Sequence, residues 1–97
     1  MSIEDLYNVY IRCSGISTDS RHINNGELFF SLRGPNFNGN KYAKMAIENG
    51  AKYAVVDEKE FANDERYILV KNCLESLQEI SNYHRNKLKV KVIGITG

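Results

Sequence analysis

Strong net charge and long apolar runs are both missing from this chain. The net charge is +1 over 97 residues, which gives no electrostatic reason to expect binding to nucleic acid or to a membrane surface. No apolar run approaches the length that crosses a bilayer, and the first residues are acidic rather than basic and apolar, unlike those of a signal peptide. We therefore expect a cytoplasmic protein with neither nucleic acid nor membrane as a partner.

Cysteine and histidine are scarce as well. Cys13 and Cys73 do not form a Cys-x-x-Cys pair, and His22 and His84 lie far apart without a third ligand nearby. These spacings favour two reduced thiols and support no metal site, no Cys-His pair and no Ser-His-Asp triad. The carboxylates in the charged segment 57–66 invite a metal hypothesis, but a solvated loop explains them better.

The rest of the composition is that of one small globular domain. Hydrophobic residues make up 42% of the chain and charged residues 26%, and 97 residues suffice for one modest core. The predicted helices occupy residues 3–10, the segment from Asn38 or Asn40 to Gly50, and residues 72–88; the predicted strands are 16–17, 27–32, 53–56, 67–70 and 90–95. This order predicts an α/β fold, a three-layer α/β/α domain with a small, mostly parallel sheet.

Two helices have further signals in the sequence. In the first, one face carries Ile3, Leu6, Tyr7 and Tyr10, which predicts core packing. In the last, Asn72 and Glu75 resemble a capping box at the start of the helix. Its predicted buried stripe consists of Leu74, Leu77, Ile80 and Leu88.

The stretch Ser17–Tyr42 has the features of a binding site. Hydroxyl residues and an arginine come first, an apolar strand follows, and a loop bracketed by Gly34 and Gly39 then opens a helix. Backbone N–H groups at a helix start attract anions. The stretch therefore predicts a site for a nucleotide-linked substrate, with the rest of the chain as scaffold.

Each residue of this stretch also has an ordinary structural interpretation. Asp19 and Arg21 can pair with each other at the surface, and Ser20 can satisfy its own turn. Phe37 can anchor the loop in the core as readily as it can stack on a base. The Asn38–Gly39 pair can serve backbone geometry alone.

The order and spacing of the segments resemble the N-terminal domain of the Mur ligases. The matching segments are Ser-Thr-Asp-Ser-Arg at 17–21, Gly-Glu-Leu-Phe-Phe-Ser-Leu-Arg-Gly at 26–34, Asn-Phe-Asn-Gly at 36–39, Asn-Gly-Ala at 49–51, Ala-Val-Val-Asp at 54–57, Tyr-His-Arg at 83–85 and Val-Ile-Gly-Ile-Thr-Gly at 92–97. Where the family often has Asp-Gly-His, this chain has Asn38-Gly39-Asn40. Within the family, the chain is most similar to the ligases that add D-alanyl-D-alanine, and those that add the third amino acid of the peptide are the alternative.

The resemblance implies an ATP-dependent amide ligase of peptidoglycan precursor synthesis, with residues 1–97 as the domain that binds UDP-N-acetylmuramoyl-peptide. A central ATPase domain and a C-terminal domain would follow in the same chain, which we expect to be a monomer. ATP and Mg²⁺ would belong to the central domain, so we expect no cofactor and no catalytic residue within these 97 residues. Residues 94–97 would begin the ATP phosphate loop, and Thr96 and Gly97 are its first residues here.

The resemblance also assigns residues to the UDP moiety. They are Thr18, Ser20, Arg21, Pro35, Asn36, Phe37, Asn38 and Gly39. Arg21 would lie near the diphosphate, residues 35–37 near the uridine, and the N–H groups at Asn38–Gly39 would face the ligand. A non-enzymatic domain that senses a nucleotide or anion, and a structural interaction domain without a ligand, are the alternatives.

Overall fold

The computed structural model describes residues 3–34 and 37–96. Its helices are α1 (Ile3–Ile11), α2 (Ala43–Glu48) and α3 (Cys73–Thr96), with short 3-10 helices at Gly39–Tyr42 and Lys59–Phe61. Its strands are β1 (Ile16–Ser17), β2 (Leu28–Phe30), β3 (Arg33–Gly34), β4 (Phe37–Asn38), β5 (Tyr53–Val56) and β6 (Tyr67–Leu69). Within these residues, no helix is both long enough and apolar enough to cross a membrane.

Four strands form a parallel sheet in the order β1-β2-β5-β6. Leu28 pairs with Tyr53 in the register between β2 and β5, and Val55 pairs with Ile68 between β5 and β6. The segment between β2 and β5 contains α2, as expected for parallel neighbours joined by a helical crossover. The predicted α/β fold with a small parallel sheet is confirmed.

The central strands are buried on both faces, and successive side chains point to opposite cores. Leu28 and Phe30 pack with residues of α1 and α3 on one face, whereas Phe29 faces α2. The second core is built largely from alanines, including Ala46 of α2 and Ala54 of β5, both fully buried. The two helical layers on either side of the sheet are the predicted three-layer arrangement.

The predicted last strand is wrong. Residues 90–95 continue α3, which ends at Thr96. No glycine or proline interrupts the chain between Cys73 and Ile93. A helix satisfies its backbone hydrogen bonds internally, whereas the Val and Ile residues of this segment form a strand only beside a partner strand.

The buried face of α3 also differs from the prediction by one residue at its start. Leu74, predicted to be buried, is 52% exposed, and Cys73 is buried in its place. Cys73, Leu77 and Ile80 form the inner face, at spacings of four and three residues. The predicted cap is present, since the Glu75 N–H donates to Asn72 Oδ1 at 3.0 Å.

A short hairpin follows β2 where the sequence predicted a longer strand to residue 32. The main strand ends at Phe30, and β3 then pairs with β4 so that Arg33 lies opposite Asn38. The hairpin returns the chain to Leu32, whose carbonyl oxygen accepts a hydrogen bond from the Gly39 N–H at 2.9 Å. This close contact places the Gly39–Tyr42 turn beside the end of β2.

Candidate functional site

A cavity of about 510 Å³ opens between the turn after β1 and the segment that leads into α2. Its lining residues are Thr18, Asp19, Ser20, Arg21, Phe29, Gly39, Tyr42 and Met45. One wall is polar and carries the positively charged side chain of Arg21, and the other wall is mainly apolar. All of these lining residues except Met45 belong to the stretch Ser17–Tyr42, which the sequence analysis identified as a possible binding site.

The polar wall is a turn that the sequence organises locally. Ser17 Oγ accepts a hydrogen bond from the Asp19 N–H at 3.2 Å, and Asp19 Oδ1 accepts one from the Arg21 N–H at 2.9 Å. Such side-chain to backbone bonds are the usual way in which Ser and Asp stabilise turns. The bond from the Arg21 N–H is the main reason why the pKa of Asp19 lies below its ordinary value.

Arg21 supplies the positive charge of this wall. Its side chain is 79% exposed, and its Nε atom lies 3.4 Å from Asp19 Oδ1. Within residues 3–34 and 37–96, its terminal nitrogens make no hydrogen bond. The surface pairing with Asp19 therefore occurs, and it still leaves the end of the guanidinium group available to an anion.

Ser20 connects the polar wall to α2. The residue is buried, its hydroxyl lies 3.8 Å from Met45 Sδ, and its carbonyl oxygen accepts a hydrogen bond from Asn49 Nδ2 at 2.8 Å. Because Asn49 follows the last residue of α2, this bond holds the turn against that helix. The Ser20 hydroxyl is thus in the cavity lining without a strong hydrogen-bond partner in the described part of the chain.

The apolar wall was missed by the sequence analysis. Tyr42 and Met45 are 41% and 44% exposed, and Phe29 lines the cavity from the sheet. The available signal was their spacing: Tyr42 and Met45 are three residues apart and so lie close together at the start of α2, beside the buried Ala43 and Ala46. Large apolar side chains left exposed on one helix face indicate a contact surface.

The backbone N–H groups at the Asn38–Gly39 turn were predicted to face a ligand, but the structure shows them bonded within the protein. The Gly39 N–H donates to Leu32 O at 2.9 Å, and the Asn40 N–H donates to Asn38 Oδ1 at 3.0 Å. Both groups are therefore used within the protein, and neither is free to face a ligand. Asn38 shapes the turn as the cap of the 3-10 helix, and Gly39 itself lines the cavity.

Asp57 is not part of a solvated loop, contrary to the sequence interpretation. Its side chain is only 7% exposed, and it accepts hydrogen bonds from Asn40 Nδ2 at 2.8 Å and from Arg33 Nη2 at 3.1 Å. The interpretation fits Asp64 better, since its pair with Arg66 at 2.9 Å lies at the surface. Asp57 is buried because it follows directly after the central strand β5.

The cavity brings together only some of the predicted substrate residues. Those in its lining are Thr18, Ser20, Arg21 and Gly39. The Asn38 side chain instead donates to Glu58 Oε1 at 2.9 Å, and Phe37 belongs to β4. Pro35 and Asn36 lie outside the described residues.

The structure describes only one of the two predicted phosphate-loop residues. Thr96 is the last residue of α3, and Gly97 lies outside the described residues. Among residues 3–34 and 37–96, no three His, Cys, Asp or Glu side chains come together as a metal site. Burial raises the pKa of Cys73 to about 12, with the Asp57 charge as the second cause, so its thiol is protonated at neutral pH.

Comparison with known sequences identifies relatives over nearly the whole chain. The sequence model of the Mur ligase family catalytic domain matches residues 12–93. The UDP-N-acetylmuramoyl-L-alanyl-D-glutamate–2,6-diaminopimelate ligase of Clostridium tetani is 41% identical over 93% of this chain. The UDP-N-acetylmuramoyl-tripeptide–D-alanyl-D-alanine ligase of a Synechocystis species is 33% identical over 90% of it. The chain spans about a fifth (20%) of the length of each of these two relatives.

Solved structures show the same fold. A crystal structure of MurF from Acinetobacter baumannii superposes with a TM-score of 0.69 at 21% identity, covering 89% of this chain and 21% of that one. MurF from Thermotoga maritima, solved in complex with ADP, gives a TM-score of 0.64 at 23% identity over 75% of this chain and 16% of that one. At these identities the likeness concerns the fold alone.

Proposed function

The chain belongs to the Mur ligase family, and we propose that it is the domain that binds the UDP end of a UDP-N-acetylmuramoyl-peptide. The observation that carries this proposal is the cavity of about 510 Å³ between Arg21 and Tyr42. A volume of this size lies in the range of small-molecule sites, roughly 300–1,000 Å³. It suits a nucleotide better than the entire peptide-linked substrate.

The two walls of the cavity match the two ends of a UDP group. Tyr42 and Met45 offer an exposed apolar surface on which a uracil ring can pack. Arg21, on the opposite wall, offers guanidinium N–H groups to the diphosphate, a charge-assisted contact. The Ser20 hydroxyl, which has only a long contact to Met45 Sδ, is placed to bond a polar atom of the ligand.

The parent enzyme would be an ATP-dependent amide ligase. ATP would supply the energy to activate a carboxyl group of the bound substrate for attack by an amine, and Mg²⁺ would neutralise the charge of its phosphates, in another domain of the parent enzyme. The residues of this chain would hold the nucleotide end of the substrate and so place its peptide end.

The amine that the parent enzyme adds has two candidates. The sequence pattern predicted D-alanyl-D-alanine, and the tripeptide–D-alanyl-D-alanine ligase at 33% identity supports that prediction. The diaminopimelate ligase at 41% identity supports addition of the third amino acid. Incubating the full-length enzyme and ATP with UDP-N-acetylmuramoyl-dipeptide plus diaminopimelate, or with the tripeptide substrate plus D-alanyl-D-alanine, separates the two by which mixture yields product.

Binding is tested by titrating the chain with UDP-N-acetylmuramoyl-tripeptide, UDP and ATP while amide resonances are followed by NMR. We expect the resonances of Thr18, Ser20, Arg21 and Gly39 to shift with both uridine ligands and not with ATP. The Arg21→Ala variant should bind UDP about tenfold more weakly, since a charge-assisted hydrogen bond is lost. Tyr42→Ala should also bind it more weakly.

The matched control is Arg66→Ala. Arg66 makes the same local bonds to Asp64, with its N–H 2.8 Å and its Nε 3.2 Å from Asp64 Oδ1, but it does not line the cavity. If Arg66→Ala and Arg21→Ala weaken binding equally, or if ATP shifts the same resonances, the proposal is wrong.

A further test uses Ser20→Ala in the full-length enzyme. We expect a higher KM for the UDP-linked substrate with little change in kcat, because the hydroxyl would contact the nucleotide end and not the reacting atoms. An unchanged KM would contradict the assigned role of Ser20.

A further inference from the structure

Asp57 connects the cavity to two other parts of the fold. Its Oδ1 atom accepts hydrogen bonds from Asn40 Nδ2 at 2.8 Å and Arg33 Nη2 at 3.1 Å. Its Oδ2 atom accepts the N–H of Cys73, the first residue of α3, at 3.2 Å. One buried carboxylate thus joins β5, the β3–β4 hairpin, the Gly39–Tyr42 helix and the start of α3.

The bond to Asn40 is reciprocal. While Asn40 Nδ2 donates to the Asp57 carboxylate, Asn40 Oδ1 accepts the Asp57 N–H at 2.9 Å. Asn40 is 1% exposed, and its amide also donates to Asn38 Oδ1 at 2.7 Å. Two bonds to one neighbour, made in a buried setting, fix both the position and the rotation of the Asn40 side chain.

Asn40 carries this constraint to the cavity wall. It belongs to the short 3-10 helix Gly39–Tyr42, whose first and last residues both line the cavity. A helix of four residues has little stability of its own. Its orientation therefore depends on what holds Asn40.

We propose that Asp57 is a positioning residue for the nucleotide cavity, which acts through Asn40 to hold the Gly39–Tyr42 wall in place for the base. This inference rests on the proposed function. Asp57 itself is not among the residues that line the cavity. Its effect on binding is transmitted by the hydrogen bonds to Asn40.

The role requires a charged carboxylate that only accepts hydrogen bonds. Both Asp57 oxygens face donors, so an asparagine at this position would direct its NH₂ group at the donors on one side. Burial by itself would raise the pKa of Asp57, but the bonds from Asn40, Cys73 and Arg33 outweigh burial and hold the pKa below its ordinary value. The carboxylate is thus ionised at neutral pH.

The test measures UDP binding by calorimetry for the wild type, Asp57→Asn, Asn40→Ala and the double variant. Samples are kept at low temperature, and amide NMR spectra first establish that each is folded. We expect each single variant to bind UDP about tenfold more weakly, and the double variant to bind about as weakly as either single one, since both act through one contact. Asp64→Asn, in the same segment but at the surface, should bind as the wild type does.

Two results would overturn the inference. One is wild-type affinity in folded Asp57→Asn, which would show that the residue serves stability only. The other is multiplication of the two single effects in the double variant, which would show that Asp57 and Asn40 act independently.

A second measurement separates this inference from the proposed function. In the absence of ligand, the amide resonances of Gly39 and Tyr42 should shift in Asp57→Asn, and those of Thr18 and Ser20 should not. If the wild type fails to bind UDP, the proposed function falls, and these resonances still decide whether Asp57 positions the wall. Unchanged Gly39 and Tyr42 resonances in Asp57→Asn would refute the positioning role of Asp57.

Discussion

Replacing Gly39 with alanine tests how tightly the cavity wall is built against the end of β2. A Cβ atom at this position would lie 2.3 Å from the carbonyl oxygen of Leu32 and 2.8 Å from its nitrogen. Both are backbone atoms, so no side chain can rotate away to make room. The substitution therefore has to displace the turn itself.

The cost follows from what that displacement breaks. Overpacking of a tight site typically costs about 1–3 kcal/mol. Moving the turn also lengthens the hydrogen bond from the Gly39 N–H to Leu32 O, now 2.9 Å, which contributes about 0.5–1.5 kcal/mol. We expect Gly39→Ala to lower the free energy of unfolding by about 2–4 kcal/mol.

The assay is urea unfolding followed by circular dichroism, with Gly15→Ala as the matched control. A Cβ at Gly15 would meet only Glu27 Oε2, at 3.3 Å, which belongs to a side chain and not to the backbone. The control should stay within about 1 kcal/mol of the wild type. Equal stability of the two variants would refute the view that Gly39 is required by close backbone packing.

Three further predictions concern α3, the thiols and the charge of Asp57. Asn72→Ala should cost about 1 kcal/mol in urea unfolding because the α3 cap is lost, while Asn82→Ala, exposed within the same helix, should cost nothing measurable. Cys13, half-buried, should react with a thiol reagent at neutral pH well before the fully buried Cys73 does; faster labelling of Cys73 would contradict its burial. Because the Asp57 pKa is lowered, the stabilisation from its carboxylate is complete above its ordinary pKa of 3.8 and is lost as the pH falls through the folded-state value. The stability difference between the wild type and Asp57→Asn should therefore be about 1.5–3 kcal/mol at pH 7 and shrink below pH 3.8; a difference independent of pH would exclude the charge as its cause.

Where an element depends on local pattern, the sequence predicted it well. The strand at Tyr53–Val56 has the predicted bounds, and the Asn72 cap of α3 is present. Asp19 and Arg21 pair with each other at the surface, as one interpretation of the sequence had it, and the Arg21 N–H also donates to Asp19 Oδ1, only two residues away. Such short-range interactions are visible in the order of residue types.

Predictions failed where the outcome depends on a partner far away in the chain. Residues 90–95 alternate in a way compatible with a strand, but a strand needs a neighbour, and the segment continues as helix. Leu74 and Cys73 are both apolar, and only the docking of α3 on the sheet decides which of them is buried. Gly39 was predicted to offer a free N–H group, which the hairpin instead brings to Leu32 O.

The sequence by itself determined that this is an α/β domain, which strands are buried on both faces, and which family it belongs to, since periodicity and motif order are properties of the chain. Only the tertiary structure decided that Tyr42 and Met45 form the apolar wall of a cavity opposite Arg21. It also decided that Asp57 is buried and bonded rather than solvated, because its partners Asn40 and Cys73 lie 17 residues before it and 16 after it. The burial of a charge and the shape of a cavity depend on how separate segments pack, and no local pattern contains that information.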